Sequence, residues 1–164
     1  MKKKSKIVLL DGPDGSGKTT VAQLLHEKTG LPIIKMPRMP EYFKTNAEEM
    51  SKLFNETIIQ FSDFSFILDR GFPSSMVYSK VFNRNEDLSY LAYITKVLHP
   101  KIYILTATDK ELFRRKPVDE IIPKEDRIKI NVEYQRLAGI MNWKLIDTTD
   151  LEDTQVCSQI LSSL

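Results

Sequence analysis

The sequence predicts an α/β fold in which a five-stranded parallel sheet carries helices on both faces. Three observations predict it. Apolar runs of strand length alternate with stretches of helical period along most of the chain, the pattern of successive βαβ units. The first apolar run, "KIVLLD", ends in the glycine-rich turn "GPDGSGKTT", which opens a helix. The chain has 164 residues, enough for one sizeable core and too few to suggest two.

In order along the chain, "KIVLLD" reads as a buried strand, and a helix begins at Lys18. That helix carries Val21, Leu24 and Leu25 on one face and closes at Gly30, a natural C-terminal cap. "LPIIKM" is the second strand, and the proline-rich "MPRMPEYF" is a loop around Arg38. A helix over roughly residues 46–60 leads to the third strand, "FSFILD", which ends at Asp69-Arg70. "PSSMVYSKVF" starts a helix with Pro73 in its first turn, and "NEDLSYLAYITKVLH" forms the next. "KIYILTAT" is the fourth strand, followed by a short helix, "DKELFRRK", with Asp109 as its expected cap. From Arg114 to Asp126 the charged segment "RRKPVDEIIPKED", broken by Pro117 and Pro123, reads as a mobile lid. A helix through "RIKINVEYQRLAGI", a fifth strand through "WKLIDT" and a last helix through "EDTQVCSQILSSL" complete the single domain.

Composition narrows the function classes. Lys and Arg number 24 against 22 Asp and Glu, so there is no global field to draw in nucleic acid, and no nucleic-acid partner is expected. A single cysteine, Cys157, leaves no internal disulfide and no cysteine-built zinc site. No run approaches the roughly 18 apolar residues of a membrane span, which together with the cysteine usage points to a cytoplasmic protein with no membrane partner. The opening "MKKKSK" reads as a solvated basic tail. His26 and His99 lack partners at catalytic spacing, while Trp143 and Cys157 read as interior residues.

Chemistry concentrates in the glycine-rich turn. Gly12 to Thr19 fit G-x-x-x-x-G-K-[ST] with a strand before and a helix after, the context a phosphate-binding P-loop requires. Backbone N–H groups of Gly15, Ser16, Gly17, Lys18 and Thr19 would point at the β- and γ-phosphates of ATP, with the helix N-terminus adding its positive end. Lys18 supplies a mobile cation, Thr19 a hydroxyl for Mg²⁺, and Gly12, Asp14 and Thr20 complete the ATP-binding stretch. Asp14 is the odd member. A carboxylate turned toward the donor's phosphates would oppose the cradle by several kcal/mol at an effective dielectric near ~20, so it should face the other substrate.

Asp69-Arg70 ends a strand beside the loop, where ligands gather in open α/β sheets; the pair offers a carboxylate for Mg²⁺ and a guanidinium for phosphate. Arg38, held in its proline-rich loop, is preorganised for a second phosphate. Arg114, Arg115 and Lys116, with Arg127 beyond the lid, form a cationic group that would close over a transferring phosphoryl.

These residues together resemble the thymidylate kinase family of P-loop nucleoside monophosphate kinases. "GPDGSGKTT" is similar to that family's G-x-D-G-x-G-K-T-T, and "DRGFPSSMVYS" to its D-R-Y-x-x-S-x-x-A-Y-Q. "EYQRLAGIMNWKLIDTT", followed by a helix containing "QV", resembles its carboxyl end. The resemblance implies a P-loop NTPase fold and ATP- and Mg²⁺-dependent phosphorylation of a deoxynucleoside monophosphate, most simply dTMP to dTDP. It implies that Asp69 organises Mg²⁺ and that Arg70 and Arg38 grip the acceptor phosphate. Ser74, Ser75 and Tyr78 would line the nucleoside pocket, Tyr78 disfavouring a ribose 2′-hydroxyl, and Asp14 would accept from the acceptor's 3′-hydroxyl. With Gly15 at the loop position where some members carry their catalytic arginine, Arg114 and Arg115 in the lid would supply that charge. A homodimer is a further implication.

Three positions depart from the family pattern: Gly71 replaces a tyrosine, Ser79 a glutamine and Met39 a glutamate. The stretch between Phe54 and Asp69 is also shorter than the family's, which removes its usual base contacts and leaves Phe54 or Phe61 to stack on a base. That shortening keeps open a second reading, a P-loop kinase acting on a hydroxyl of a nucleoside or nucleic acid. A nucleotide-binding switch is a third, disfavoured by the lack of an N-K-x-D tetrapeptide.

Overall fold

The structure of the protein is a computed structural model; it describes residues 6–36, 47–85, 88–118 and 121–164. Five strands form one sheet: β1 (Ile7–Asp11), β2 (Ile33–Lys35), β3 (Phe66–Asp69), β4 (Lys101–Thr106) and β5 (Lys144–Asp147). All pairings are parallel and the order is β2-β3-β1-β4-β5, so the expected α/β architecture is the observed one. Among the described residues seven helices cover it: α1 (Lys18–Thr29), α2 (Ala47–Ile59), α3 (Phe72–Val81), α4 (Leu88–Leu98), α5 (Asp109–Arg115), α6 (Lys124–Ile140) and α7 (Asp153–Leu161). Among the described residues no helix is long and apolar enough to cross a membrane.

The two-residue period of the central strands sorts their side chains into two cores. Ile7 and Leu9 of β1 join Phe66 and Leu68 of β3 and Ile102 and Ile104 of β4 under α3, α4 and α6. Val8 and Leu10 point the other way, with Ile67, Tyr103 and Leu105, under α1 and α7. All five residues of β1 are buried, as a central parallel strand requires. Each fully buried Leu or Ile here contributes about 1.5–3 kcal/mol through the area it removes from water. Cys157 lies in the second core and is buried, as the sequence suggests, while Trp143 is partly buried edge-on to Phe72, with ring centroids 6.1 Å apart.

Register aligns the ends that matter. Leu10 stands opposite Asp69 and Asp11 opposite Ile104, so the strand ends carrying the glycine-rich loop and Asp69-Arg70 finish level. Gly30 closes α1 in the left-handed region, with φ 71°, as expected of a glycine cap.

Two expectations need correction around α5 and α6. Thr108, not Asp109, is the N-cap of α5; its side chain accepts from the Glu111 backbone N–H, and its backbone is non-helical while Asp109 is already helical. Asp109 instead accepts from Asn131 Nδ2 at 2.9 Å, tying α5 to α6. The two ends of the expected lid over 114–126 are helical. Arg114 and Arg115 belong to α5 and Lys124 to Asp126 to the first turn of α6, leaving a linker of residues 116–123, of which 119 and 120 lie outside the described residues. Pro123 precedes the first turn, where its missing N–H costs nothing, and Glu125 and Asp126 suit the helix's positive end.

Candidate active site

The site forms at the carboxyl ends of β1 and β3. Gly12 turns the chain out of β1 with φ 144°, and a Cβ there would stand 2.0 Å from the Leu105 carbonyl oxygen of β4, so only glycine fits this close approach. Asp11, just before it, is fully buried. Its Oδ1 accepts from the Gly12 N–H (2.8 Å), Ser74 Oγ (2.7 Å) and Tyr134 Oη (2.8 Å), and its Oδ2 accepts from the Gly71 and Ser74 N–H groups (3.2 and 2.9 Å). This carboxylate satisfies orphan donors at the start of α3, whose own N-cap, Gly71, has no side chain to do so. Buried carboxylates persist only when hydrogen-bonded in this way.

Lys18 opens α1 and is buried; its Nζ donates to the Pro13 carbonyl (2.7 Å) and to Ser16 Oγ (3.3 Å). Burial, with the Arg70 charge second, pushes its pKa down to about 7. A bound polyphosphate reverses that balance. At about pH 8, where Lys18 is mostly neutral in the free protein, nucleotide binding is therefore expected to take up protons, and affinity should tighten as the pH falls from about 9 to 7. Titration calorimetry in buffers of different ionisation heat measures this. An observed heat that does not depend on the buffer removes Lys18 from the account.

Thr19 Oγ1 donates to Asp69 Oδ2 at 2.8 Å, and Asp69 is almost fully buried. The two residues expected to share Mg²⁺ are thus adjacent hard oxygen donors. Among the described residues no group of three or more His, Cys, Asp or Glu could hold an ion by itself. The pair suits Mg²⁺, which takes one or two protein oxygens and completes its octahedron with phosphate oxygens and water. Lys35 Nζ lies 3.7 Å from Asp69 Oδ2 on an exposed side chain. Ser16 is buried, whereas Thr20 is exposed on the outer side of α1.

Arg70 follows β3 in the left-handed region, with φ 70°, a conformation a long side chain adopts at an energetic cost. Its Nη2 is ion-paired with Asp14 Oδ1; its Nη1 donates to Ser74 Oγ (3.2 Å) and Tyr134 Oη (3.4 Å) and lies 3.6 Å from Asp11 Oδ1. Burial disfavours the charged guanidinium, but Tyr78, Tyr134, Asp14 and Asp11 outweigh it and raise its pKa well above the ordinary value. Asp14 also accepts from Lys116 Nζ at 2.8 Å. Burial alone would raise the Asp14 carboxyl, yet Arg70, Lys18 and Lys116 hold it far below the usual carboxylate range. Burial and then Asp11 raise the Tyr134 hydroxyl well above its ordinary value, so it is a neutral donor.

The expected cationic group divides. Arg114 is mostly exposed and paired with Glu111 on its own helix. Arg115 donates to the carbonyl of Thr148 (2.6 Å), to Thr148 Oγ1 (2.9 Å) and to the Gly15 carbonyl (3.4 Å), so its guanidinium fastens α5 to the segment after β5 and to the glycine-rich loop. Lys116 is the member brought to the loop's acidic centre. Arg127, buried on α6, donates to the Lys116 carbonyl at 2.7 Å and lies over the Phe113 ring at 4.7 Å.

A narrow cleft opens between the loop, α3, α5 and α6, lined by Pro13, Asp14, Tyr78, Phe113, Arg127 and Ile130 among others. Ser74 and Ser75 are buried at the start of α3. Phe54 packs, partly buried, against the core under α3, and Phe61 is exposed and edge-on to Phe64; neither lines this cleft. Arg38 lies outside the described residues.

Three residues with central contacts do not stand out in the sequence: Asp11, Tyr134 and Thr148. Asp11 has a signal, an acid at the last position of a buried strand, where an unpaired charge cannot stay. Tyr134 and Thr148 look like ordinary members of a helix and a strand end.

No protein-family model matches the chain, and no curated protein is significantly similar to it in sequence. Solved structures are similar over nearly its whole length. The YorR protein from Bacillus subtilis, solved in complex with phosphorylated GDP, is 24% identical with a TM-score of 0.77, covering 96% of this chain and 95% of its own. The deoxyadenosine kinase from M. mycoides, solved with the products dCMP and dCDP, is 18% identical with a TM-score of 0.69, covering 96% and 97%. The thymidylate kinase from Candida albicans is 20% identical with a TM-score of 0.68, covering 98% and 91%. The fold is thus the one these three structures share.

Proposed function

We propose that this chain, on a P-loop kinase fold, transfers the γ-phosphoryl of ATP to a deoxynucleoside monophosphate, dTMP being the simplest acceptor. One observation supports the reading: Asp14 is ion-paired with Arg70 and Lys116 and lines the cleft together with Tyr78. The loop is then a shared wall, with the donor on its N–H face and the acceptor on its acidic face.

In this arrangement the N–H groups of Gly15 to Thr19 and Lys18 hold the donor's phosphates. Mg²⁺, held through Thr19 and Asp69, supplies neutralisation of the charge that develops on the phosphates. Arg70, with Arg38, grips the acceptor's phosphate; Ser74, Ser75 and Tyr78 line its nucleoside, and Asp14 accepts from its 3′-hydroxyl. An anionic phosphate oxygen attacks the γ-phosphorus, the bond to the β-bridging oxygen breaks, and ADP departs with that electron pair. No general base is required, so catalysis is positioning and charge stabilisation, and Lys116 is the lid cation placed to add to it.

Incubation with ATP, Mg²⁺ and each deoxynucleoside monophosphate tests the reading; formation of no diphosphate from any of them refutes it. Asp14→Ala is expected to raise the acceptor KM by roughly ten- to a hundredfold, the scale of a lost charged hydrogen bond, with ATP affinity little changed. The opposite pattern would place Asp14 on the donor side. A hydroxyl acceptor is the second reading, favoured by Phe54 and Phe61 lying away from the cleft. Labelled phosphate appearing on deoxynucleosides or oligonucleotides in the same panel, with Arg38→Ala nearly silent, would select it.

A further inference from the structure

Tyr134 is fully buried on α6, the helix that follows the linker of residues 116–123, yet its hydroxyl reaches the acceptor arginine. The proton count around it is informative. The Tyr134 hydroxyl lies 2.8 Å from Asp11 Oδ1, Ser74 Oγ lies 2.7 Å from the same oxygen, and the two hydroxyls are 2.9 Å apart, so two hydroxyl protons serve three contacts. Each hydroxyl also accepts through a lone pair from Arg70 Nη1, 3.4 and 3.2 Å away. One edge of the guanidinium is thereby held from inside the fold, and Nη2 is paired with Asp14, which itself lines the cleft.

We propose that Tyr134 is a positioning residue for phosphoryl acceptance: with Ser74, and under the orientation imposed by Asp11, its hydroxyl sets the plane of the Arg70 guanidinium so that the outer edge meets the acceptor's phosphate. This rests on the reading of Arg70 as the acceptor-phosphate ligand. It adds that α6, from the far side of the linker, aligns the acceptor site. Fixing a guanidinium before the ligand arrives removes an ordering cost from binding, so its loss appears in acceptor binding. A purely structural tyrosine would behave differently. Its ring packs in the core with Ile130 and Leu137, and that packing is retained by phenylalanine.

The test is Tyr134→Phe, read in two ways. In steady-state kinetics with ATP and the preferred acceptor, the acceptor KM is expected to rise roughly three- to tenfold, the range of one hydrogen bond, with kcat and the ATP KM within about twofold. In arginine-labelled NMR, the Arg70 guanidinium of the wild-type protein is expected to rotate slowly about Cζ–Nε and to rotate freely in the variant. Unchanged acceptor KM overturns the proposal, as does a parallel change of both KM values and kcat that follows a fall in melting temperature. The NMR arm uses no substrate, so it separates failure of this proposal from failure of the proposed reaction. A freely rotating Arg70 in the wild-type protein overturns it even if the variant does not fold.

Discussion

Replacing Gly12 with alanine is expected to remove most of the protein's stability. The new Cβ would lie 2.0 Å from the Leu105 carbonyl oxygen, a backbone atom of the central sheet that no rotamer change can move aside. The φ of 144° adds strain for any residue with a side chain. Strain costs on the order of 1–3 kcal/mol and overpacking about the same again. The sum approaches the whole stability of an ordinary domain. Relief by moving Gly12 would pull its N–H from Asp11 and shift the phosphate cradle, so activity falls with stability. Urea unfolding measures the effect, with Gly30→Ala as the control. Gly30 has φ 71°, and a Cβ added there would meet no atom within 4 Å, so that variant should lose only about 1–2 kcal/mol. Equal losses in the two variants would show that the approach to Leu105 carries no weight.

Arg70→Met is the second large effect. Methionine leaves Asp14 with Lys18 and Lys116 as its cationic neighbours and takes from Asp11 a charge 3.6 Å away. Breaking a buried ion pair from one side costs about 3–5 kcal/mol, and the acceptor would lose its fork as well. kcat/KM for the acceptor is expected to fall by at least about a thousandfold, while nucleotide still binds to the loop. Stability carries a pH signature. The Asp14 carboxyl is held far below its ordinary pKa, so its contribution is complete above the unfolded-state value and is lost as the pH falls below that toward the folded one. Without Arg70 that acid slope should flatten. Chemical denaturation between about pH 5 and 2.5 measures it, and an unaltered slope would mean that Arg70 does not govern Asp14. Arg70→Lys keeps the charge but not the planar fork, and should recover more of the stability than of the turnover.

What is legible in the sequence is local. The glycine-rich loop, the alternation of strands and helices, and the Asp69-Arg70 strand end each depend on residues a few positions apart, and the structure holds all three together. The partners of Asp11 are not local: Ser74 and Tyr134 lie 63 and 123 positions away, so only the fold reveals that one carboxylate joins loop, α3 and α6. The cap of α5 differs from expectation because Thr108 and Asp109 are both good capping residues, and backbone conformation decides between them. The irregular segment between α5 and α6 is shorter than the expected lid because Pro123 opens a helix instead of breaking one. A proline just before a first turn starts a helix as readily as it ends one. Arg115, expected among the lid's cations, also donates to carbonyls of the segment after β5, a contact that local sequence does not reveal.

The alternating side chains of β1 have a consequence for how this protein can vary. The donor loop's helix, α1, rests with α7 on Val8 and Leu10, whereas α3 and α6, which carry Ser74, Tyr78 and Tyr134, rest on Ile7 and Leu9. The sheet is a partition between two tenants. Under the proposed function, interior substitutions on the α3 and α6 side would retune which acceptor is welcomed while the side of α1 and α7 keeps its own fit, so a lineage could drift in substrate without renegotiating its energy source.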